Sequence, residues 1–593
     1  MCGIVGFTGR DNAGYLDAMN RAQAHRGPDG EGAFSDTGRQ VHLGMRRLAI
    51  IDLRGGRQPM SNVDGSIRIV FNGEIFNAPE LRRDLAGQYP FKTDHSDTEV
   101  LLALYERDGN RMTEHLNGMF AFVIYDKRRG VLFGARDHFG IKPLHYCFEN
   151  GKLSFSSEIK SLLALPWVST EIDRQSLYDF LTVQTVPAPA TIYASVRKIP
   201  AGSSFTFDIW KREFDVSAYW KPSFAPHPWN PEMIRSTFLE AVKRWTLSDV
   251  SIACSLSSGI DSPAVVGALA SQSSQPIHTY TVGFRDAPEM DERALARMVS
   301  EKWGTKHHEM VITEDDLIGA LPSMIDALDE PYAGGLPSWF VFKQMAQDVK
   351  VGLTGTGGDE LFSNYGKWKY YESLGARLKK IIRFKSEGGA FSDLAASPHG
   401  SIHYPYFTDG LKRSDLLADC QNLRSTSSLI ENIWRNCPSN NDRDRVAFVD
   451  LELQLPEEFL MMTDRFSMAH SLEARTPFLD RPFAEFVLGI PHQERITPEK
   501  PKNLFIDSIA ELLPKELMTA KKKGFILPTG RWMRTRLRPI VESLLSPEYL
   551  KSQGIFQEAI FEKIARPHLE SGADNDWRLW TLLCFQMWYE RKS

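Results

Sequence analysis

Residues 255–262 have the sequence SLSSGIDS, a serine- and glycine-rich loop that carries one acidic residue, Asp261. A strand-like apolar segment precedes the loop at 250–254, and a helical pattern follows it at 262–272. Backbone N–H groups at the N-terminus of a helix bind phosphate oxygens. A carboxylate next to an anion requires a cation between them, so the loop indicates a nucleotide phosphate held with Mg²⁺. Taken alone, the same loop also fits an ordinary turn of an α/β domain.

Cys2 is the second residue whose position suggests chemistry. Removal of Met1 would leave a cysteine with both a thiol and a free α-amine. The unperturbed pKa of that amine is about 8, so an uncharged fraction exists at neutral pH and can accept the thiol proton. An N-terminal cysteine therefore contains its own base. By itself, a cysteine at position 2 most often has no chemical role.

Two different patterns predict the elements that position these residues. Short aromatic and β-branched segments with turns between them predict antiparallel strands at 119–126, 131–137, 143–149 and 152–158. From about residue 230, strands alternate with helices, which predicts a parallel sheet with crossover helices. The predicted strands are 250–254, 278–283, 307–312 and 350–353, and the predicted helices are 262–272, 288–303, 315–328 and 338–347. Ligands of such sheets lie beyond the carboxyl ends of the strands, where Ser255, Val282 and Thr354 fall.

Length and composition bound the class of protein. A chain of 593 residues exceeds one core, and the proline-rich segment PSFAPHPWNP predicts a boundary, with domains at 1–210 and 231–593 and a linker at 211–230. The net charge of −5 gives no reason to expect nucleic acid or an anionic membrane as a partner. No apolar run approaches the roughly 20 residues of a membrane span, and the N-terminus has no signal-peptide pattern. Six scattered cysteines without a CxxC pair favour a reducing cytoplasm and argue against disulfides or a zinc site.

Five motifs follow MCGIVG in one order along the first hundred residues. They are HRGPDGEG (25–32), RRLAIIDL (46–53), QPM (58–60), FNGEIFN (71–77) and SDTE (96–99). This series resembles the class II glutamine amidotransferase domain, the glutaminase of the Ntn-hydrolase fold. The resemblance implies that Cys2 attacks the side-chain amide of glutamine and releases ammonia, with Asn72 and the N–H of Gly73 as the oxyanion hole.

The same resemblance implies a glutamine-binding set. Its members are Arg47, Leu48, Ala49, Ile50, Ile51, Asn72, Gly73, Glu74 and Asp97. In this set Arg47 binds the α-carboxylate of glutamine, and Glu74 and Asp97 receive its α-ammonium group. A zwitterionic amino acid needs one cation and one or two carboxylates around it, so the assignment is physically coherent. The alternative for the three charged residues is a solvated face.

Motifs in the second half resemble those of asparagine synthetases. They are TGTGGDELFSNYGKW (354–368), MTDRFSMAHSLEARTPFLD (462–480) and KKKGFILPTGRW (521–532). The loop SLSSGIDS resembles the SGGxDS pyrophosphate loop of the ATP pyrophosphatase superfamily, with Ser258 in place of the first glycine. The resemblance implies an ATP site formed by Ser255, Ser257, Ser258, Gly259, Asp261, Ser262, Val282, Thr354 and Gly355. It also implies Mg²⁺ at Asp261 and Asp359, and a catalytic Lys522 that neutralises phosphate charge; a solvated basic turn is the alternative for Lys522.

The acceptor-facing loop departs from the family pattern. Thr356 stands where asparagine synthetases carry an acidic residue, and Ser363 and Asn364 replace a Gly-Gly pair. A threonine hydroxyl supplies no negative charge and is no base at neutral pH. The departure indicates either a different acceptor or a different handling of the amine, although drift within an asparagine synthetase also explains it.

Together the resemblances imply a two-domain α/β protein. The N-terminal domain is an Ntn-hydrolase αββα sandwich, and the C-terminal domain is a doubly wound parallel sheet of the ATP pyrophosphatase type with a helical tail. The implied function is a glutamine-dependent ligase that forms an acyl-adenylate from ATP and a carboxylate and aminates it with tunnelled ammonia, as from aspartate to asparagine. Alternatives are amidation of a sugar uronate, a degraded relative kept as a scaffold, and a glutaminase whose second half senses nucleotide. Bacterial relatives suggest a homodimer.

Overall fold

Two antiparallel six-stranded sheets form the first part of the chain. The structure is a computed structural model, and it describes residues 2–11, 14–288, 291–404, 407–497, 502–519 and 528–592. The strands of the two sheets are β1 (Cys2–Thr8), β2 (Gly30–Asp36), β3 (Val41–Arg47), β4 (Met60–Ser61), β5 (Ile67–Ile75), β6 (Gly118–Asp126), β7 (Val131–Arg136), β8 (His145–Glu149), β9 (Lys152–Ser156), β10 (Arg197–Lys198), β11 (Ser203–Asp208) and β12 (Glu213–Ala218). Their orders are β10-β8-β9-β1-β3-β2 and β12-β11-β7-β6-β5-β4.

Helices cover the outer face of each sheet. The helices of this part are α1 (Tyr15–Ala22), α2 (Ala78–Leu85), α3 (Asp97–Asp108), α4 (Ile159–Leu162) and α5 (Arg174–Val183). The inner faces of the sheets share one apolar core that includes Ile4, Met45 and Val123. A second core joins one sheet to α2 and α3, and a third joins the other sheet to α1, α4 and α5. The layers are therefore α, β, β and α, as expected from the sequence.

A five-stranded parallel sheet organises the second part. Its strands and neighbouring helices are α6 (Pro231–Arg244), β13 (Ile252–Ser255), α7 (Asp261–Gln272), β14 (His278–Phe284), α8 (Arg293–Trp303), β15 (Lys306–Ile312), α9 (Glu314–Leu328), α10 (Ser338–Met345), β16 (Val351–Leu353) and β17 (Glu473–Arg475). The strand order is β15-β14-β13-β16-β17, and every pairing is parallel. This confirms the predicted parallel sheet with crossover helices. The loops after β13 and β16 leave neighbouring strands at the same edge.

Most of the remaining chain is helical. Its helices are α11 (Gly358–Leu361), α12 (Lys369–Glu372), α13 (Leu374–Ser386), α14 (Phe391–Ala396), α15 (Gly400–His403), α16 (Asp409–Leu411), α17 (Thr426–Arg435), α18 (Asp442–Val449), α19 (Met461–Met468), α20 (Arg481–Leu488), α21 (His492–Arg495), α22 (Asn503–Ser508), α23 (Lys515–Thr519), α24 (Thr529–Arg534), α25 (Arg538–Leu544), α26 (Pro547–Gln553), α27 (Arg566–Glu570) and α28 (Asp576–Lys592). Among the helices that the structure describes, none is long and apolar enough to cross a membrane.

Two element boundaries differ from the sequence expectation. The helix expected at 288–303 begins at Arg293, with Glu292 as its N-cap residue, and the Asp291 carboxylate in the preceding turn accepts the N–H of Arg293 at 3.1 Å. Residues 213–218, which fall in the expected linker, form β12 and pair along their whole length with β11. The sheet of the first part therefore continues into that segment.

A buried ionic cluster connects the two parts of the chain. Arg26 is fully buried, and its guanidinium donates to both carboxylate oxygens of Asp464, at 2.8 and 3.1 Å, and to Glu158 at 2.9 Å. Arg465, next to Asp464, lies 3.1 Å from the same Glu158 oxygen. Arg26 Nε also donates to the carbonyl oxygen of Cys2 at 3.1 Å. The cluster thus fixes the start of β1 to helix α19 of the second part.

Replacing Asp464 with alanine would leave the Arg26 guanidinium buried with fewer acceptors. Breaking one partner of a buried ion pair typically costs about 3–5 kcal/mol. We expect Asp464→Ala to lower the thermal unfolding midpoint by several degrees, measured by differential scanning calorimetry. Asp17→Ala, which removes an exposed partner of Arg21, is the control and leaves the midpoint unchanged. An equal midpoint for Asp464→Ala and the parent protein would contradict the proposed importance of this contact.

Candidate active sites

Cys2 is the first residue of β1, and it lies next to Asn72 and Arg47. Its backbone nitrogen, the α-amine after removal of Met1, donates to Asn72 Oδ1 at 2.9 Å. In the sheet its residue partner is Arg47, the last residue of β3. Burial raises the pKa of the Cys2 thiol above its usual value, and Glu74 raises it further, while the Leu48 N–H and the Arg47 charge oppose the shift. The thiol is therefore protonated at rest and needs a base to become a nucleophile.

Two hydrogen-bond donors lie next to this cysteine on β5. The side-chain nitrogen Nδ2 of Asn72 is buried and has no hydrogen-bond partner among the described residues, which is costly unless a ligand accepts from it. Gly73 has φ +148°, and a Cβ at this position would lie 2.0 Å from the carbonyl oxygen of Met119. Only glycine fits there. The arrangement can present two donors to a developing oxyanion.

Glu74 and Asp97 form a buried carboxyl pair beside the cysteine. Burial raises the pKa of Asp97 to about 6, although its Oδ2 accepts the N–H of Ile75 at 3.1 Å. Burial also raises the pKa of Glu74 well above its usual value, and the charges of Glu473 and Asp97 act in the same direction. Burial therefore favours the neutral form of Glu74, while Asp97 is mostly ionised at neutral pH and can pair with one ammonium group.

The remaining residues of the predicted glutamine set lie at the boundary between the two parts. The Arg47 guanidinium donates to the carbonyl oxygens of Ile51, Asp52 and Leu53 at 3.2, 2.8 and 3.0 Å. The side chains of Leu48, Ile50 and Ile51 are buried against Val351 and Met468 of the second part. The N–H of Ala49 donates to Asp29 at 2.8 Å. A ligand here would meet the backbone of this segment, because its side chains are used for packing.

Apart from the site around Cys2, a cavity of about 670 Å³ opens at the carboxyl edge of the parallel sheet. Eight of the nine residues predicted to bind ATP line it, namely Ser255, Ser257, Gly259, Asp261, Ser262, Val282, Thr354 and Gly355. The loop after β13 is held by its own serines, since Ser262 Oγ accepts the N–H of Ser257 at 2.8 Å. A Cβ on Gly355 would lie 2.7 Å from the Asp261 Cβ, so glycine permits the two loops to touch. The structure thus brings separate sequence segments to one cleft.

Ser258, the ninth residue, does not line the cavity itself but binds Glu292, which does. Its hydroxyl donates to Glu292 at 2.5 Å, and its N–H donates to the same carboxylate at 3.2 Å. The side chain is 4% exposed. The serine that replaces the family glycine therefore anchors the loop to the residue before α8. Its backbone N–H is used for this anchor, so the loop has one donor fewer for a phosphate.

Asp261 and Asp359 converge on one cation, the ammonium group of Lys502. Lys502 Nζ donates to both oxygens of Asp261 at 2.6 and 2.7 Å, and to Asp359 Oδ1 at 2.7 Å. Asn364 Nδ2 donates to the same Asp359 oxygen at 2.7 Å. Two carboxylates from different loops that share one positive charge are a suitable pair for a divalent cation. Within the described residues there is no group of three or more His, Cys, Asp or Glu side chains that could hold a metal, so a cation here would need ligands from elsewhere, such as phosphate.

The sequence did not predict Lys502, the hydrogen bond from Asn364 to Asp359, or the contribution of α28 to the cavity lining. Trp577 and Trp580 of α28 line the cavity with Tyr365 and Phe459. Lys502 is one of two lysines in the polar stretch 497–503, and its spacing carries no signal. Asn364 was noticed as a departure from a glycine pair, and that was a usable signal.

Thr356 lines the same cavity, and its hydroxyl accepts from Thr354 Oγ1 at 3.1 Å. Of the described residues that line the cavity, the acidic ones are Asp261, Glu292, Asp359 and Glu458. Burial raises the pKa of Glu458. Lys522 lies outside the described residues.

Comparisons with known proteins cover nearly the whole chain. The asparagine synthase family profile matches residues 233–590, and the glutamine amidotransferase domain profile matches residues 1–220. Asparagine synthetase [glutamine-hydrolyzing] 1 of Bacillus subtilis is 31% identical over 99% of this chain and 96% of its own length. Asparagine synthetase [glutamine-hydrolyzing] 3 of the same organism is 28% identical over 88% of this chain and 87% of its own length. Amidase chry2 of Gibberella zeae is 25% identical over 90% of this chain and 87% of its own length.

Lys502→Met would remove the shared cation and leave two carboxylates facing one another. Loss of one member of a buried ionic group is typically worth about 3–5 kcal/mol. We expect a lower thermal midpoint for Lys502→Met, and a larger rise of that midpoint on addition of millimolar Mg²⁺ than in the parent protein, because the metal replaces the missing charge. Lys551→Met, at an exposed lysine, is the control. A Mg²⁺ response equal to that of the parent protein would contradict a cation site between Asp261 and Asp359.

Proposed function

We propose that this chain, which belongs to the asparagine synthase family, is a carbon–nitrogen ligase that takes its nitrogen from glutamine, consumes ATP and converts aspartate to asparagine. The observation that supports this most is the pairing of two sites in one chain. One contains Cys2 with the two donors of Asn72 and Gly73, and the other is the cleft that contains Asp261 and Asp359. Either site alone would fit a simpler hydrolase or nucleotide-binding protein.

In the glutaminase site, Cys2 is the nucleophile. Its α-amine, held by Asn72 Oδ1, takes the thiol proton, and the thiolate sulfur attacks the amide carbon of glutamine. Asn72 Nδ2 and the N–H of Gly73 donate to the oxygen that becomes negative; such donors are worth about 3–4 kcal/mol each. Arg47 binds the α-carboxylate, and Glu74 and Asp97 bind the α-ammonium group. Return of the proton to the leaving nitrogen releases ammonia, and water then hydrolyses the thioester to glutamate.

Ammonia reaches the second site inside the protein in this proposal. A cavity of about 20 Å³ lies between the two parts, lined by Ile141, Pro143 and Met461 together with charged residues of the ionic cluster. This is enough room for one molecule the size of water. An internal route is needed because free ammonia is mostly protonated in neutral water and does not then attack an acyl-adenylate.

In the synthetase site, the carboxylate of the acceptor attacks the α-phosphate of ATP and pyrophosphate leaves. The converging oxygens of Asp261 and Asp359 fit Mg²⁺, which would neutralise charge on the pyrophosphate. Lys502 holds both carboxylates in place, and Asn364 orients Asp359. Lys522 stays a prediction for a further cation at the phosphates. Ammonia then attacks the acyl carbon, AMP leaves, and the amide forms.

The test is a product balance. The purified protein is supplied with glutamine, MgATP and one of several carboxylates, and AMP, pyrophosphate and product mass are measured. We expect AMP, pyrophosphate and asparagine in equal amounts with aspartate as acceptor. Formation of ADP and orthophosphate without AMP would contradict the mechanism. Glutamate release without AMP under every acceptor would instead indicate a glutaminase whose second part senses nucleotide.

A second candidate is amidation of another carboxylate, such as a sugar uronic acid. It is favoured by Thr356, which supplies a neutral hydroxyl to the cavity where the family has an acid. In the same assay, amide formation from a uronate with no turnover of aspartate would select this candidate. The domain division at 211–230, the homodimer and the cytoplasmic location stay predictions; light scattering of the purified protein tests the dimer.

Cys2→Ala removes the nucleophile and leaves the synthetase cleft unchanged. We expect loss of glutamine-dependent product formation by at least about 1,000-fold. Activity with added ammonium is expected to persist, because ammonia then enters without glutamine hydrolysis. Cys147→Ala, at another buried cysteine, is the matched control and should retain both activities. Loss of the ammonium-dependent activity in Cys2→Ala would contradict two separate sites.

Glutamine use is expected to depend on pH through Asp97. Its pKa is raised to about 6, so the carboxyl is ionised above pH 6 and neutral below it. The neutral form cannot pair with the α-ammonium group. We expect KM for glutamine to rise up to about tenfold per unit as the pH falls below 6, with kcat little changed. In Asp97→Asn, KM for glutamine should be high at every pH, and the rise of KM below pH 6 should be absent. If that rise persists in the variant, another group causes it.

A further inference from the structure

Helix α13 (Leu374–Ser386) presents a row of apolar side chains to solvent. Leu374, Leu378 and Ile382 are 84%, 56% and 59% exposed. They are spaced four residues apart, so they form one stripe along the helix. The opposite side of the helix is anchored, since Phe384 is 1% exposed. The helix is therefore packed on one side, and the apolar stripe on its other side is not part of the core.

Phe391, at the start of α14, extends this stripe. It is 71% exposed, and Lys385 Nζ lies 3.9 Å from the centre of its ring. Lys385 is three residues from Ile382 and so lies on the same side of α13. Four large exposed apolar side chains are thus grouped at α13 and the start of α14. Scattered single exposed residues are normal, but a grouped set marks an interaction site.

The same helix is strongly basic. It contains Arg377, Lys379, Lys380, Arg383 and Lys385 and no acidic residue, although the whole chain has a net charge of −5. Lys379 and Arg383 are exposed beside the apolar stripe. The nearest acid, Glu387 just after the helix, lies 3.6 Å from Arg383 and also pairs with Arg578. Positive charge on this surface is therefore only partly neutralised by the protein.

Burial, and after it the neighbouring cations, shift the pKa of one lysine on this helix. Burial and the like charges of Arg383 and Lys367 lower the pKa of Lys380 to about 8. An external anion close to the helix would reverse the electrostatic part of this shift. The crowding is consistent with a surface that is completed by negative charge from outside the chain.

We propose that α13 and Phe391 dock this protein on an anionic lipid surface. An apolar stripe with lysines and arginines beside it is the pattern of a helix that lies in a membrane interface, with its apolar side chains in the lipid and its cations at the phosphates. The apolar side chains and the neighbouring cations lie along one exposed side of a helix, which fits contact with a planar layer. Lysine is also depleted at protein–protein interfaces, which disfavours a protein partner.

The proposed docking helix follows, in the chain, a loop that lines the cavity. The loop that contains Asn364 and Tyr365 lines the cleft, and α12 and α13 follow it directly in the chain. Tyr370 of α12 contacts Lys380 of α13, with the ammonium group 4.1 Å from the ring centre. The membrane contact and the cleft are therefore joined by a short, packed segment.

The test is co-sedimentation of the full chain with vesicles of phosphatidylcholine alone or with 30% phosphatidylglycerol, roughly the anionic content of an acidic membrane. We expect binding to the anionic vesicles, weaker binding at high salt, and none to phosphatidylcholine alone. Lys379→Glu with Arg383→Glu should lower the apparent affinity at least about 25-fold, since each cation is worth roughly fivefold. Leu378→Gln with Ile382→Gln should also release the protein, because the apolar contact is lost.

Matched controls change other exposed residues. Lys211→Glu with Lys551→Glu alters the net charge equally, and Val63→Gln with Ile540→Gln removes two other exposed apolar side chains; both should bind as the parent does. Glutaminase activity of each variant reports that it is folded. The proposal is overturned if the parent protein does not bind anionic vesicles, or if the α13 variants bind as well as the controls. The proposal is also overturned if α13 binds an acidic protein while the parent protein does not bind vesicles.

Discussion

The burial of one guanidinium, that of Arg26, constrains the whole arrangement. A buried charge is tolerated only where acceptors surround it, and Arg26 obtains them from Glu158 in the first part and Asp464 in the second. It also binds the carbonyl oxygen of Cys2. The carbonyl group of Cys2 is therefore bound by a side chain whose own acceptors come from both parts of the chain. Two sites that share a reactive intermediate need such a fixed relation, because a gap between them would let ammonia escape.

Close packing of loops has a comparable role at the nucleotide cleft. The loop after β13 supplies Asp261 and the loop after β16 supplies Asp359, and their backbones touch because Gly355 and Gly358 have no side chain. The two carboxylates can then share one cation. The parallel sheet explains why they meet, since neighbouring strands end at the same edge.

Local patterns predicted much of this molecule. The strands at 119–126 and 131–137 and the alternation after residue 230 follow from hydrophobic periodicity, which depends only on neighbours in sequence. Motif resemblance selected Cys2, Asn72 and Asp261. The contacts of Arg26 with Asp464 could not be predicted, because 438 residues separate them and the motifs that contain them do not show that they meet. The same holds for Lys502, whose role arises entirely from tertiary contacts with Asp261 and Asp359. Ser258 was noticed, but its use of Glu292 depends on how α8 begins.

Glu473, at the start of β17, lies close enough to Glu74 to raise the pKa of that carboxyl. Its neighbour Arg475 binds Glu473 at 2.6 Å and accepts the N–H of Thr354, a residue of the nucleotide loop, through its carbonyl oxygen at 2.8 Å. The proton affinity of the Glu74 carboxyl in the first part is thus thermodynamically linked to the charge of Glu473 on strand β17 in the second part. Linkage is reciprocal, so occupancy of the amino-acid pocket must in turn change the electrostatic free energy at Glu473. The Glu74 carboxyl and the loop after β16 are thus connected through one short strand, β17.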